Sequence, residues 1–270
     1  MTVKRFVAVL TAVLIVGYVY LAGRLTSSEE ARLALAVPFA LVWIVPMIYW
    51  IGGRKRAHAA DDVVHGLGYV CLAWLNFLFL LSLARDTMLL VSATSPSLRA
   101  VQAMLSDTGT AGILVASVAV VATGAVIVFR GPRVRHVDIP VTDLPADLDG
   151  FRIVQISDLH VGPTMRRGYV QHVVERTTAL APDLIALTGD IVDGPVERLA
   201  GHVAPLADLA AGGRAFLVLG NHDYYAGAAP WTAYFESLGL RVLRNEHATI
   251  SQGAARLVVG GRDRSRRAFR

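Results

Sequence analysis

Cysteine is almost absent from the 270-residue sequence, whose single thiol belongs to Cys71 within an apolar run. One cysteine cannot form an intramolecular disulfide, and it cannot provide the several thiolates of a cysteine-based zinc site. We therefore interpret Cys71 as a small buried hydrophobic residue. A metal site in this chain would depend on oxygen and imidazole ligands.

Charged residues are also scarce, at 17% of the chain, although Lys and Arg outnumber Asp and Glu by 26 to 21. A nucleic-acid-binding domain would combine basic and aromatic residues in a recognition motif, and the sequence contains no such motif. Many arginines instead flank apolar runs or crowd the last nine residues. Membrane topology explains this positive charge better than a nucleic-acid partner does.

Apolar sequence is abundant, and it is concentrated before residue 131. Crossing a bilayer takes about 20 helical residues. Four runs approach that length: Phe6–Ala22, Leu33–Ile51, Val63–Ala84 and Ala111–Phe129. No small-residue cleavage site follows the first run, which favours a retained anchor over a signal peptide. We expect a four-helix transmembrane region at 1–130, a domain at 131–261, and a basic, disordered tail at 262–270.

The distribution of Lys and Arg predicts the orientation in the membrane. Eight of them lie in the N-terminus, the second loop and the segment after the fourth run, whereas four lie in the other connections. Because positive residues are retained on the cytoplasmic side, both ends of the chain are expected there. The prediction is a multi-pass protein of the cell membrane with a cytoplasmic domain.

Three polar segments in the second half each follow an apolar, β-favouring run. They are Asp158-Leu159-His160, Gly189-Asp190 and Gly220-Asn221-His222-Asp223. The spacings from Asp158 to Asp190 and from Asp190 to Asn221 are 32 and 31 residues, about one βαβ unit each. Successive parallel strands end at one edge of a sheet, so the polar side chains are expected to converge there. Such a set suits hard or borderline divalent metals.

The rest of the second half is typical of a mixed α/β domain. A short amphipathic strand is expected from Val134 to Pro140, followed by strands at 151–156, 184–187 and 216–219 that alternate with helices. The helices are expected at 167–180, 196–211 and 231–238. Short strands near 241–243, 248–250 and 257–259 suggest a second sheet.

The three motifs, in this order and spacing, resemble the first motifs of the calcineurin-like metallophosphoesterases. The resemblance runs from about Val134 to Gly261 and is closest to the membrane-anchored bacterial branch with N-terminal transmembrane helices. It implies an α/β/β/α sandwich, of which this chain would contain an incomplete part. It also implies a phosphoesterase that hydrolyses phosphate mono- or diesters, with a substrate that could derive from the lipid bilayer.

The resemblance assigns a role to each motif residue. Two divalent ions (Mn, Fe or Zn) would share Asp190 as a bridge, with Asp158 and His160 on the first ion and Asn221 on the second. His222 would act as the general acid beside the phosphate. Asp223 would orient the His222 imidazole. For Asp193, helix capping is the favoured interpretation, with support of a nearby ligand as the alternative.

Two features of the family pattern are missing: a lone histidine that follows a further strand, and then a Gly-His-x-His block. After His222 the sequence contains only one histidine, His247. Residues 262–270 contain five arginines and resemble neither the family nor a strand. We therefore expect a C-terminally truncated domain with a weakened second metal site and uncertain activity. The alternatives are a non-catalytic membrane protein with a remnant metal-binding domain, and a transport or lipid-binding bundle with an accessory domain.

Overall fold

The structure is a computed structural model that describes residues 3–47, 59–94 and 96–262. It divides into two compact units, Met1–Arg130 and Gly131–Arg270. The basic tail expected at 262–270 lies outside the described residues, except for Arg262.

Unit 1 is helical throughout most of its described residues. Its α-helices are α1 (Val3–Leu25), α2 (Glu29–Val45), α3 (Ala59–Ser92), α4 (Arg99–Asp107) and α5 (Gly109–Phe129). The Ser28 hydroxyl caps α2 by accepting a hydrogen bond from the Ala31 amide. Mostly leucine and isoleucine side chains from four helices form a shared core. Polar side chains also join the helices, since the Trp74 indole donates to the Ser117 hydroxyl at 3.0 Å between α3 and α5.

Three stretches of the described helices are long and apolar enough to cross a membrane: Lys4–Leu25, Val63–Ser92 and Gly109–Phe129. They correspond to the first, third and fourth predicted spans. The second predicted span, Leu33–Ile51, coincides with α2 as far as Val45 and ends outside the described residues. The helices of unit 1 therefore fit an N-terminal membrane anchor.

Unit 2 contains a parallel four-stranded sheet in the order β1-β2-β3-β4. The strands are β1 (Ile153–Ile156), β2 (Leu184–Leu187), β3 (Ala215–Leu217) and β4 (Arg241–Val242). Helices α6 (Arg167–Ala179), α7 (Val196–Val203) and α8 (Asn221–Ser237) connect them in turn. The α/β domain expected from the sequence is confirmed, and the carboxyl ends of β1, β2 and β3 share one edge.

The two faces of this sheet are covered differently. Ile185, Leu187 and Leu217 face the larger core with the helices, where Trp231 and Phe235 of α8 are fully buried. Leu184 and Phe216 face a smaller core formed with an antiparallel hairpin. The hairpin strands are β5 (Glu246–Gln252) and β6 (Ala255–Gly261). Alternation along β2 and β3 thus buries both faces of the sheet at these central strands and fixes their register.

The structure departs from the sequence expectation in three elements. The strand expected at Val134–Pro140 is absent: these residues form no described ladder, and Ile139 is 75% exposed. The helix expected at 196–211 ends at Val203, and a 3₁₀ segment with Pro205 in its first turn follows, because proline lacks the amide needed to continue an α-helix. Helix α8 begins ten residues before the expected start, with a break at Gly227.

Candidate metal centre and catalytic site

The first two motifs are held side by side by backbone hydrogen bonds that continue beyond the strands. The Asp158 amide donates to the Gly189 carbonyl at 3.1 Å, and the His160 amide donates to the Asp190 carbonyl at 3.0 Å. Val161 and Val192 then form an isolated parallel bridge. Because the pairing continues, the side chains of the two motifs are fixed close to one another.

The backbone at this edge is strained. Asp158, His160 and Asp190 have φ values of 57°, 46° and 52°. These values lie in the left-handed region of backbone conformation, which residues other than glycine seldom adopt. Outliers of this kind cost roughly 1–3 kcal/mol each and concentrate at functional sites. Three such outliers within one cluster indicate that the surrounding structure holds these residues in an unfavourable backbone conformation.

Two glycines allow the second and third motifs to approach. A Cβ on Gly189, whose φ is +94°, would lie 2.5 Å from the Gly220 amide nitrogen. A Cβ on Gly220 would overlap Oδ1 and the amide nitrogen of Asp190. Neither position can hold a larger residue without displacing the other segment. These glycines are therefore required for the close approach of the two segments as well as for the turn.

Asp158, His160 and Asp190 form a group whose ligand atoms all lie within 4.8 Å of one another. The His160 Nε2 atom is 3.8 Å from the Asp158 carboxylate. The Asp190 carboxylate accepts a hydrogen bond from the His222 amide at 2.8 Å, which fixes one of its oxygens. Two carboxylates and an imidazole fit the preferences of Mn²⁺, Fe²⁺ or Zn²⁺.

Asn221 is the first residue of α8 and is half-buried. It lies between Gly220, which packs against Asp190, and His222, whose amide contacts Asp190. The structure therefore brings the third motif to the same place as the first two.

Asp193 is the residue that sequence reasoning undervalued. Its Oδ1 atom contacts Nδ1 of His160 at 3.0 Å and Nδ1 of His222 at 2.7 Å. The two imidazole rings meet edge to face with their centroids 4.6 Å apart. The parallel bridge places Asp193 here, because its amide donates to the Val161 carbonyl just after His160. The signal that the sequence offers for Asp193 is its position, three residues after the motif residue Asp190.

Asp223 does not have the partner expected from the sequence. Its carboxylate is fully buried and accepts three backbone hydrogen bonds, from Ile191 and Val192 at Oδ1 and from Gly220 at Oδ2. The observed carboxylate partner of the His222 ring is Asp193. The expectation is thus corrected: Asp223 ties the start of α8 to the loop after β2, since the first turn of a helix leaves amides that need acceptors.

The local charges shift two pKa values. Burial alone would lower the pKa of His160, but the hydrogen bond to Asp193 and the negative charges of Asp193, Asp190 and Asp158 outweigh it, so this pKa is raised. Burial raises the pKa of Asp223, against the hydrogen bonds from the Gly220, Val192 and Ile191 amides, which lower it. His160 therefore binds a proton more readily than an isolated imidazole does.

The fold and this cluster define an α/β domain in which acidic and imidazole side chains that could hold a metal ion lie at the carboxyl ends of parallel strands. Residues 151–262 match the family model of the calcineurin-like phosphoesterases. The chain thus carries a calcineurin-like metallophosphoesterase domain that follows apolar helices.

Three curated relatives illustrate the similarity. The chain is 38% identical over 128 residues to a transmembrane protein with metallophosphoesterase domain from Danio rerio, covering 47% of this chain and 29% of that protein. It is 36% identical over 133 residues to an uncharacterized metallophosphoesterase from Aquifex aeolicus, covering 49% of each. A Helicobacter pylori metallophosphoesterase, also uncharacterized, is 30% identical over 115 residues, covering 43% of this chain and 30% of that protein.

The chain therefore spans between about a third and a half of the length of these relatives. No solved structure gives a significant match.

Proposed function

We propose that this chain is a membrane-anchored, metal-dependent phosphoesterase that hydrolyses phosphate mono- or diesters at a dinuclear centre. The observation that carries the proposal is the convergence of Asp158, His160 and Asp190, each with a strained backbone, beside His222. The match of residues 151–262 to the phosphoesterase family supports the same conclusion.

In this proposal, Asp158 and His160 hold one ion, Asn221 holds the other, and Asp190 touches both. When bound, a pair of divalent ions polarises the phosphate and lowers the pKa of a bound water. The His222 amide positions the Asp190 carboxylate by donating a hydrogen bond to its Oδ1 atom at 2.8 Å.

His222 is the proposed general acid. Hydrogen bonding of its Nδ1 to Asp193 favours the tautomer with a proton on Nδ1 when the ring is neutral. In the doubly protonated ring, Nε2 is free to donate a proton to the leaving oxygen. Asp193 thereby positions an acid that is 42% exposed and can reach a substrate from solvent.

The substrate is proposed to be a phosphate ester of membrane origin. Three helices of unit 1 are suited to a bilayer, and an enzyme anchored there encounters lipid-derived phosphates at a high local concentration.

The test is Mn²⁺-dependent hydrolysis of bis-(p-nitrophenyl) phosphate by the full chain in detergent. We expect Asp190→Asn to lower the rate by at least about a hundredfold, since an amide cannot bridge two cations as a carboxylate does. Asp208→Asn, which changes an exposed aspartate on the 3₁₀ segment after α7, is the matched control. Equal rates for the chain and Asp190→Asn would favour a non-catalytic domain that only binds metal.

A further inference from the structure

The side chains of His160, Asp193 and His222 form a second group of potential metal ligands. Their ligand atoms also lie within 4.8 Å of one another. The Asp193 Oδ1 atom is 3.0 Å from Nδ1 of His160 and 2.7 Å from Nδ1 of His222. Ligands about 2.0–2.1 Å from a zinc ion are roughly 3–3.4 Å apart, so each contact of Asp193 with a histidine is within a few tenths of an ångström of a zinc-bound spacing.

The chemistry of this group differs from that of the Asp158–His160–Asp190 group. Two imidazoles and one carboxylate form the ligand set of many open zinc sites, in which water or another ligand completes the coordination. The other group contains two carboxylates and one imidazole, which suits harder ions such as Mn²⁺ as well as zinc. The two groups should therefore differ in their preference between Zn²⁺ and Mn²⁺.

The group is open to solvent. The side chains of His160, Asp193 and His222 are 34%, 34% and 42% exposed. An ion can reach them without any backbone opening, and a fourth position remains for water.

His160 belongs to both groups through different nitrogens. Its Nδ1 contacts Asp193, whereas its Nε2 lies 3.8 Å from Asp158. A neutral imidazole has one lone pair, with its proton on the other nitrogen, so it can bind a metal on one side at a time. Occupation of the second group therefore withdraws His160 from the first, and it also separates His222 from its hydrogen bond with Asp193.

We propose that His160, Asp193 and His222 form an inhibitory zinc site. Binding of Zn²⁺ to this site requires only the three side chains. Its inhibitory effect rests on the proposed phosphoesterase function, because it acts by removing a ligand of the catalytic metal and the positioned general acid.

The test separates the two groups by calorimetric titration of the full chain in detergent with Zn²⁺. Asp158→Ala removes a ligand from the first group only, and we expect this variant to retain a zinc site. Adding His222→Phe should weaken that zinc site by at least about tenfold, since one of three protein ligands is lost. Adding His247→Phe, which changes an exposed histidine on β5, should leave it unchanged.

A zinc affinity that is the same with and without His222→Phe would overturn the site. X-ray absorption of zinc-loaded Asp158→Ala provides a measurement that needs no second substitution. Two imidazole nitrogens around zinc support the site, whereas one imidazole nitrogen, as His160 of the first group would give, or none overturns it.

An activity measurement then tests inhibition. Zn²⁺ added to the Mn²⁺-loaded chain should lower hydrolysis at least about tenfold at concentrations that fill the site in calorimetry. Unchanged hydrolysis at those concentrations would overturn the inhibitory role. If the chain shows no hydrolysis with Mn²⁺, the phosphoesterase proposal fails and with it the inhibitory role, whereas the zinc site is judged by calorimetry alone.

Discussion

Individual carboxylates in this domain have roles that their motif positions do not reveal. Asp193 and Asp223 are both close to a motif residue in the chain, yet Asp193 contacts imidazoles and Asp223 contacts only backbone amides among its described partners. The difference arises from burial, because Asp223 is enclosed while Asp193 lies at the rim. Their substitution should therefore have different consequences.

Asp223→Ala should destabilise unit 2 substantially. The change leaves the amides of Ile191, Val192 and Gly220 without their acceptor in a buried setting, at about 1–3 kcal/mol for each one that finds no other partner. We expect a loss of at least about 3 kcal/mol, measured as a lower unfolding midpoint by the fluorescence of Trp231, the sole tryptophan after residue 130. Tryptophans of unit 1 are replaced by phenylalanine in both proteins to isolate this signal.

The control for this measurement is Asp208→Ala, at an exposed position. It should leave the stability within about 0.5 kcal/mol of the parent. A midpoint for Asp223→Ala as high as that of the control would contradict the structural role of this carboxylate.

Asp193 should make the stability of the metal-free protein depend on pH. The pKa of His160 is raised, so the stabilisation that comes from its protonation is fully present below the ordinary histidine pKa of about 6.5 and is lost as pH rises through the folded-state value. Asp193→Asn removes one of the negative charges that raise this pKa, and it replaces the charged acceptor of the hydrogen bond by a neutral amide oxygen. The stability difference between parent and variant should therefore be largest near about pH 5.5 and smaller near about pH 8.5.

This pH dependence is measured by thermal unfolding in the presence of a chelator, with Asp208→Asn as the control. Nuclear magnetic resonance of the histidine ring protons should show a lower His160 pKa in Asp193→Asn. A difference in stability that grows with pH, or an unchanged His160 pKa, would contradict the assignment.

At the scale of elements, the edge of the sheet that carries the three motifs depends on the close packing of the loop after β2 against the start of α8. Gly220→Ala places a methyl group against Asp190, although the φ of −88° at this position is ordinary for any residue. The cost is therefore steric, about 1–3 kcal/mol of stability, and Asp190 must move. We expect Mn²⁺ affinity, measured by electron paramagnetic resonance of free Mn²⁺, to fall at least about tenfold.

Gly201→Ala is the matched control for this substitution, because Gly201 lies in α7 and no atom comes within 4 Å of the place where the added methyl group would lie. Alanine should stabilise that helix slightly and leave Mn²⁺ affinity unchanged. Equal Mn²⁺ affinity in Gly220→Ala and the parent would show that Asp190 is not a ligand or that the loop yields freely.

Local signals in the sequence were sufficient for the first two strands of the parallel sheet. The apolar runs at 153–156 and 184–187 became strands at the expected places, because each is flanked by polar turns. The run at 134–140 has equally good alternation but forms no strand, since a strand depends on a partner that its own residues do not specify. Asp193 was undervalued for the same reason: its contacts are set by a bridge between distant residues, Val161 and Val192.

For the whole molecule, the number of membrane crossings decides which side of the membrane carries unit 2. Three stretches of the described helices are suited to cross, and a chain with three crossings and a cytoplasmic N-terminus has unit 2 outside. The 17 residues of α2 are about 25 Å long, somewhat shorter than a hydrocarbon core of about 30 Å. The excess of Lys and Arg favours four crossings, with α2 and the residues after it as the second.

Cysteine labelling of intact cells distinguishes these topologies, because the chain has one native cysteine to remove. In a Cys71→Ala background, Ser27→Cys reports the exposed connection between α1 and α2, and Thr142→Cys reports an exposed position of unit 2. With four crossings, a membrane-impermeant maleimide should label Ser27→Cys directly and Thr142→Cys only after permeabilisation. Direct labelling of both would establish three crossings and place the proposed hydrolytic site outside the cell, while Cys71→Ala alone should remain unlabelled throughout.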